Sequence, residues 1–185
     1  MSKVPHASAA GCLMYAMVCT RPYLTHVVSV LSKFLSNPGM HWDAIKWIFR
    51  YLKGTTDYDI MFSKQQSDHS IRGYVDADYV GDLNDRRSTT GYVFTLGGEP
   101  ICWKSMIQSL VALSTTESEY MAMVEVAKES LWLTGLVKEL GIQQGGVQLY
   151  CDSQSAIYLA KNQVYHARTK HKCEVSQDQR IGFFW

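Results

Sequence analysis

Residues 71–161 contain a change in apolar periodicity that restricts the fold more than any other feature of the sequence. Alternation with a period of two, with the turn-forming stretches GDLNDRRSTTG and GGEP between the segments, predicts short strands at about 71–78, 91–96, 100–104 and 109–113. A long helix, a further strand and a second helix are predicted to follow, at about 115–140, 147–151 and 153–161. Strands joined as hairpins, followed by helix, strand and helix, predict an α/β fold with a mixed sheet flanked by helices.

The first 66 residues have a different, helical pattern. Apolar side chains at three-four spacing predict helices at 7–19, 24–36 and 41–53. The polar stretch SKQQSDHS is typical of a linker, so we place a boundary there and predict a helical segment at 1–66 and an α/β domain at 67–185. The apolar run Ala7–Cys19 is too short to span a bilayer and lacks the basic region of a signal peptide, so we expect neither membrane insertion nor secretion.

Charge and cysteine content exclude few functions. The net charge is +1, and residues 67–185 carry fourteen acidic and eleven basic side chains. Nucleic-acid binding by this part would need local basic patches or bound cations. The five cysteines are scattered and include no CxxC pair, which indicates reduced thiols in an intracellular protein, cytoplasmic or nuclear, rather than a structural zinc site.

The strand IRGYVDADYVGD contains two aspartates, Asp76 and Asp78, although aspartate is depleted in strands. A second position with an unexpected acid is Glu119, in the predicted long helix. Thr115 or Thr116 can cap this helix. At 100° per residue, Glu119 shares the apolar, core-facing side with Met123 and Val126, whereas Glu117 is an ordinary acid of the first turn. A buried carboxylate of this kind costs several kcal/mol unless it is paired or bound to a metal.

A third acid, Asp152, ends the predicted strand VQLYC and precedes a helix. Aspartate at this position is often just an N-cap, but strand ends next to helix starts are also where α/β proteins build sites. No basic residue lies within two positions of Asp76 or Glu119. If Asp76, Glu119 and Asp152 converge, their repulsion is best relieved by two Mg²⁺ or Mn²⁺ ions, which can support phosphodiester cleavage.

At these residues the chain resembles the ribonuclease H domain of plant copia-type long-terminal-repeat retrotransposon Pol polyproteins. The matching stretches are GYVDADYVGDLNDRRSTTGYVFTLGG, ICWKS, ALSTTESEYMAM, YCDSQSAIYLAKN and HARTKH. The helical segment is similar to the reverse-transcriptase tail and connection that precede ribonuclease H in those polyproteins. The matching stretches there are SAAGCLMYAMVCTRP, FLSNPG and AIKWIFRYLKGTTDYDIMF.

The resemblance implies a ribonuclease H-like, five-stranded mixed sheet whose first three strands are antiparallel. It implies two-metal hydrolysis of the RNA strand of RNA–DNA hybrids, with Asp76, Glu119 and Asp152 as the catalytic metal ligands and Asp78 as a neighbouring acid. The reverse-transcriptase part of the same polyprotein is an implied partner, and a particle-associated cytoplasmic location is an implied alternative to the nucleus.

The segment KCEVSQDQRIGFFW after His171 departs from the family pattern, which continues with an acid and a long helix. Glu174, one position late, is the first candidate for the fourth catalytic carboxylate, and Asp178 is a weaker one. The departure leaves an alternative open: a catalytically impaired polyprotein remnant that acts as a nucleic-acid or protein-binding module.

Basic and hydroxyl side chains are the groups that grip phosphates and sugar hydroxyls of a hybrid. Those near the predicted site, or in the basic stretch HARTKHK, are the candidate substrate contacts: Arg86, Arg87, Ser88, Thr115, Ser153, Arg168 and Lys170.

Overall fold

The structure, a computed structural model, describes residues 6–34, 41–62, 70–142 and 146–162, together with the backbone of 174–177. The chain divides into two compact units between Met61 and Phe62. Each unit has an apolar core of its own.

The first unit consists of α1 (His6–Cys19), a 3-10 turn (Pro22–Leu24), α2 (Thr25–Ser32) and α3 (His41–Gly54). The predicted helices are present, although α2 ends before the predicted residue 36. Their apolar stripes meet in a core made of Leu13, Leu24, Val28, Leu31, Ile45 and Ile48. None of the helices in the described part of the chain is long and apolar enough to cross a membrane.

The second unit is built on a mixed sheet. Its strands are β1 (Ile71–Asp82), β2 (Arg87–Leu96), β3 (Glu99–Ile107), β4 (Gln148–Cys151) and the short β5 (Glu174–Gln177). The sheet order is β3-β2-β1-β4-β5; β1 to β3 pair antiparallel, β4 is parallel to β1, and β5 is parallel to β4. The helices are α4 (Thr115–Glu139) and α5 (Gln154–Lys161). The predicted α/β class, with a mixed sheet flanked by helices, is confirmed.

Two strand predictions are wrong. The predicted strand at 109–113 is an irregular connection, in which only Ala112 is buried, while Leu110 and Leu113 are 67% and 85% exposed. Conversely, β1 and β2 extend into the predicted turn, because Ser88 and Thr90 pack inside the sheet unit with no exposed surface.

Helix α4 packs on the sheet, mainly over β1 and β2. Glu119, Met123 and Val126 are buried on it, as predicted from their shared face. The buried face is nevertheless wider than the predicted stripe: it includes Ala122 and Leu133, whereas Leu131 is exposed.

Glu129, on the flank of α4, is half-buried. Its Oε1 accepts a hydrogen bond from the Cys102 thiol of β3 at 3.7 Å. The flank of α4 that carries Glu129 therefore faces the sheet, because a helix crossing several strands covers a broad surface.

Candidate metal site

Strands β1 and β4 bring two of the predicted carboxylates to the same edge of the sheet. The two strands are parallel, and Val75 lies opposite Cys151 in their register. Asp76, midway along β1, and Asp152, the residue after β4, come directly after this pair, so they lie side by side at the carboxyl end of β4. This is the edge at which open α/β sheets generally form sites.

Helix α4 supplies the third carboxylate. Ser114 is its N-cap, with Oγ accepting a hydrogen bond from the Glu117 N–H at 3.1 Å. Glu117 Oε2 accepts in turn from the Leu113 N–H at 2.7 Å, which confirms Glu117 as a first-turn acid. The predicted cap, Thr115 or Thr116, is wrong by one or two residues. This fixed start places Glu119 in the second turn of α4, where it is only 8% exposed.

Glu119 and Asp152 converge with a thiol that the sequence analysis did not single out. One ligand atom each from Glu119, Cys151 and Asp152 lie within 4.8 Å of one another. The Cys151 S–H donates to Glu119 Oε2 at 3.9 Å. The signal for Cys151 was its position as the last residue of a buried strand, directly before a candidate ligand.

Asp76, the remaining predicted carboxylate, affects the ionisation of Glu119 through its charge. Its Oδ1 accepts a hydrogen bond from the Ala77 N–H at 2.9 Å, and its side chain is half-buried. Its negative charge, with that of Asp152, disfavours ionisation of Glu119. The three predicted carboxylates therefore lie in one electrostatically coupled group.

Burial is the main reason that the pKa of Glu119 rises to about 8, and the charges of Asp76 and Asp152 add to it. Hydrogen bonds from the Ala77 N–H and the Cys151 thiol oppose this rise only partly. Burial also raises the pKa of Cys151 to about 12. Across residues 6–34, 41–62, 70–142 and 146–162, no basic side chain forms a salt bridge with Glu119 or Asp152.

Asp152 is not a helix cap. Ser153 caps α5 instead, with its Oγ accepting from the Ala156 N–H at 3.3 Å. Asp152 is exposed, and one of its carboxylate oxygens lies in the group with Glu119 and Cys151. The alternative interpretation of Asp152 as an ordinary N-cap is therefore excluded.

The carboxylate oxygens of Asp76, Glu119 and Asp152 suit a hard divalent cation. Carboxylate oxygens are the ligands that Mg²⁺ and Mn²⁺ prefer. A cation here would also offset the negative charges of Asp76 and Asp152, which add to the effect of burial in raising the pKa of Glu119.

The remaining predicted residues occupy varied positions. Arg86 lies in the turn after β1 with φ of 54°, and Arg87 begins β2 opposite Asp82. Thr115 is exposed at the first residue of α4. Asp78 is exposed, outside the cluster, with its carboxyl group against Gly81.

The prediction of Ser88 as a substrate contact is wrong. Its side chain has 0% exposure, and its Oγ accepts a hydrogen bond from the Val80 N–H at 3.2 Å. Val80 has φ of 56°, so Ser88 stabilises the irregular end of β1 and is not accessible to substrate.

Of the two candidates for the fourth carboxylate, Glu174 and Asp178, only the backbone of Glu174 is among the described residues. The backbone of Glu174 pairs with Gln148, at the far end of β4 from Asp152. Asp178, Arg168 and Lys170 lie outside the described residues.

Comparison with known proteins identifies the origin of the chain. No family model matches it. It is 56% identical, over 92% of its length, to the retrovirus-related Pol polyprotein from transposon TNT 1-94 of Nicotiana tabacum, and 42% identical, over 87% of its length, to that from transposon RE2 of Arabidopsis thaliana.

The chain spans only 13% and 11% of these two polyproteins. It is also 48% identical, over 72% of its length, to secreted RxLR effector protein 161 of Plasmopara viticola, of which it covers 94%. From its similarity to a segment of these Pol polyproteins, the chain is a retrotransposon Pol-derived protein.

Proposed function

We propose that the sheet unit is a copia-type ribonuclease H, which hydrolyses the RNA strand of RNA–DNA hybrids with two divalent metal ions. The observation that carries this proposal is the convergence of a buried helix carboxylate, Glu119, with Asp152 and Asp76 at one edge of the sheet. The sheet order β3-β2-β1-β4-β5, with three antiparallel strands first, agrees with the ribonuclease H-like fold that the sequence resemblance implies. The polyprotein relatives support a retrotransposon origin.

The residues fit the proposed chemistry. Asp76, Glu119 and Asp152 would hold the ions, which when bound activate water and stabilise the leaving oxygen in phosphodiester cleavage. Glu119 would release its proton to water when the ions bind, because a cation offsets the charges of Asp76 and Asp152. The Ala77 N–H, which hydrogen-bonds Asp76 Oδ1, holds that carboxylate in place.

Substrate binding would use groups around this edge. Arg86 and Arg87, at the β1–β2 turn, would contact phosphates, and the exposed Thr115 would contact a sugar or phosphate. Arg168, Lys170 and Ser153 stay candidates from the sequence. The reverse-transcriptase part of a longer polyprotein would be the natural partner of the helical unit.

Cleavage of a labelled RNA–DNA hybrid tests the proposal. With Mg²⁺ or Mn²⁺, we expect turnover by the natural chain and at least about 100-fold less by Asp76→Asn and Glu119→Gln, because loss of a ligand removes several kcal/mol of transition-state stabilisation. Glu117→Gln is the matched control, since Glu117 is a first-turn acid two residues from Glu119. Equal cleavage by all three variants would reject the proposal.

A second candidate is a catalytically impaired remnant that binds nucleic acid or a protein. The register that puts the Glu174 backbone beside Gln148, away from Asp152, favours it. The relative named as a secreted RxLR effector also favours this candidate, because the region that matches this chain makes up 94% of that protein. This candidate predicts hybrid binding, or binding to an unrelated protein, without turnover at millimolar Mg²⁺ or Mn²⁺.

A further inference from the structure

Cys151 lies inside the carboxylate cluster but has no part in the proposed hydrolysis. It ends β4, is 2% exposed, and is held by the pairing of β4 with β1. Its Sγ lies 3.9 Å from Glu119 Oε2 and, with one oxygen of Asp152, completes a group of three ligand atoms within 4.8 Å. Mg²⁺ takes oxygen ligands, so this sulfur has no use in a magnesium site.

The spacing of the Cys151 sulfur and the Glu119 oxygen suits a tetrahedral cation that accepts sulfur. Zinc binds sulfur at about 2.3 Å and carboxylate oxygen at about 2.1 Å, which separates the two ligand atoms by about 3.6 Å in a tetrahedron. The observed 3.9 Å between Cys151 Sγ and Glu119 Oε2 requires a shift of only a few tenths of an ångström. The Asp152 oxygen, within 4.8 Å of these atoms, approaches by up to about 1.4 Å, which its exposed side chain allows. A water molecule can complete the fourth position, as in zinc sites with three protein ligands.

The burial of Glu119 points independently to a cation. Glu119 is 8% exposed and accepts hydrogen bonds from the Ala77 N–H and the Cys151 thiol, but no basic residue in the described part of the chain forms a salt bridge with it. A carboxylate in this position is costly when charged unless a cation pairs with it. Its oxygen faces the Cys151 sulfur, so the same cation can reach both atoms.

We propose that Glu119, Cys151 and Asp152 form a binding site for zinc-class cations, which inhibit the enzyme by taking two ligands away from magnesium. The inhibition rests on the proposed function, whereas the binding does not. On binding, the Cys151 thiol and the protonated Glu119 release their protons to water, and the cation is held by a thiolate and two carboxylates.

Titration with Co²⁺, a spectroscopic substitute for Zn²⁺, tests the binding on the full chain. We expect thiolate-to-cobalt charge-transfer absorption that saturates at one equivalent and disappears when Zn²⁺ is added. Cys151→Ser and Glu119→Gln should weaken Co²⁺ binding at least about 10-fold. Cys102→Ser is the matched control, because Cys102 is half-buried and its thiol contacts Glu129 instead.

The outcomes separate this proposal from the proposed function. Loss of the charge-transfer band in Cys151→Ser, with its retention in Cys102→Ser, supports the site even if no hybrid is cleaved. A band of equal strength in Cys151→Ser, or no band in the natural chain, overturns it even if Mg²⁺-dependent cleavage is robust. Cys151→Ala replaces the serine variant if a circular dichroism melt shows that serine prevents folding.

Inhibition is then measured relative to each variant's own rate without zinc. The Zn²⁺ concentration for half-inhibition should rise at least about 10-fold in Cys151→Ser and stay unchanged in Cys102→Ser. An unchanged value in both variants overturns the regulatory part of the proposal.

Discussion

At the scale of single residues, Glu119 links the site to stability. Its pKa is about 8 in the folded, metal-free protein against an ordinary value of 4.5. The unfolded chain therefore loses this proton first as pH rises. The stability that the neutral carboxyl group contributes is fully present below pH 4.5 and is lost as pH rises to about 8.

Thermal melts of the metal-free protein between pH 4 and 9 check this linkage. We expect the natural chain to lose stability relative to Glu119→Gln across the window from pH 4.5 to about 8, and to level off above it. Added Mg²⁺ should stabilise the natural chain more at pH 8 than at pH 6, because the cation then displaces less bound proton. Parallel melting curves for the two proteins would show that Glu119 is not perturbed.

Asp152 and Ser153 make a matched pair at the same strand end. Ser153→Ala should lower the free energy of unfolding by about 1 kcal/mol, because the α5 cap is lost. Asp152→Asn should change it by less than about 0.5 kcal/mol without metal, because Asp152 caps nothing, and it should remove the stabilisation by Mg²⁺. Urea unfolding with and without Mg²⁺ distinguishes the two, and a larger loss in Asp152→Asn would contradict this assignment.

The sequence was sufficient to find the three carboxylates: Asp76 and Glu119 break a local rule, and the family resemblance supports Asp152, which also suited an ordinary N-cap. Asp76 interrupts a strand, Glu119 sits on an apolar helix face, and Asp152 ends a strand. It was not sufficient for Cys151, since a buried thiol is usually a small apolar side chain and only the three-dimensional neighbours give it another meaning.

At the scale of elements, the two wrong strand predictions follow from burial, which a short stretch of sequence does not show. Leu110, Val111 and Leu113 resemble a buried strand, yet all three are exposed. The polar run from Ser88 to Thr90 resembles a turn, yet it is buried in β2 because its hydroxyl groups find partners, such as the Gln108 amide that donates to Thr90 Oγ1 at 3.0 Å. Tertiary packing overrides local propensity in both places.

The start of α4 fixes the position of Glu119, so its cap should matter for the site. Ser114→Ala removes the acceptor for the Glu117 N–H and should lower the free energy of unfolding by about 1 kcal/mol, with weaker stabilisation by Mg²⁺. Thr115→Ala is the control, because Thr115 is exposed and does not cap the helix. Equal stability of both variants in urea would show that Ser114 is not the effective cap.

At the scale of the whole molecule, the two separate cores predict separate responses to mutation. Ile45→Ala empties a fully buried position in the helical unit and should destabilise that unit by about 2–5 kcal/mol. Hydrogen exchange should accelerate in α1 to α3 and stay unchanged in β1 and α4. Phe94→Ala, at a fully buried position in the sheet unit, should give the reverse pattern; uniform acceleration throughout the chain in both variants would contradict two independent cores.

The central claim is that Asp76, Glu119 and Asp152 form one divalent metal site, and Mn²⁺ binding followed by electron paramagnetic resonance tests it most directly. We predict that the natural chain and Glu117→Gln remove free Mn²⁺ from solution equally, and that Glu119→Gln and Asp152→Asn bind it at least about 10-fold more weakly. Equal Mn²⁺ affinity in all four proteins, each shown to be folded, would contradict the claim.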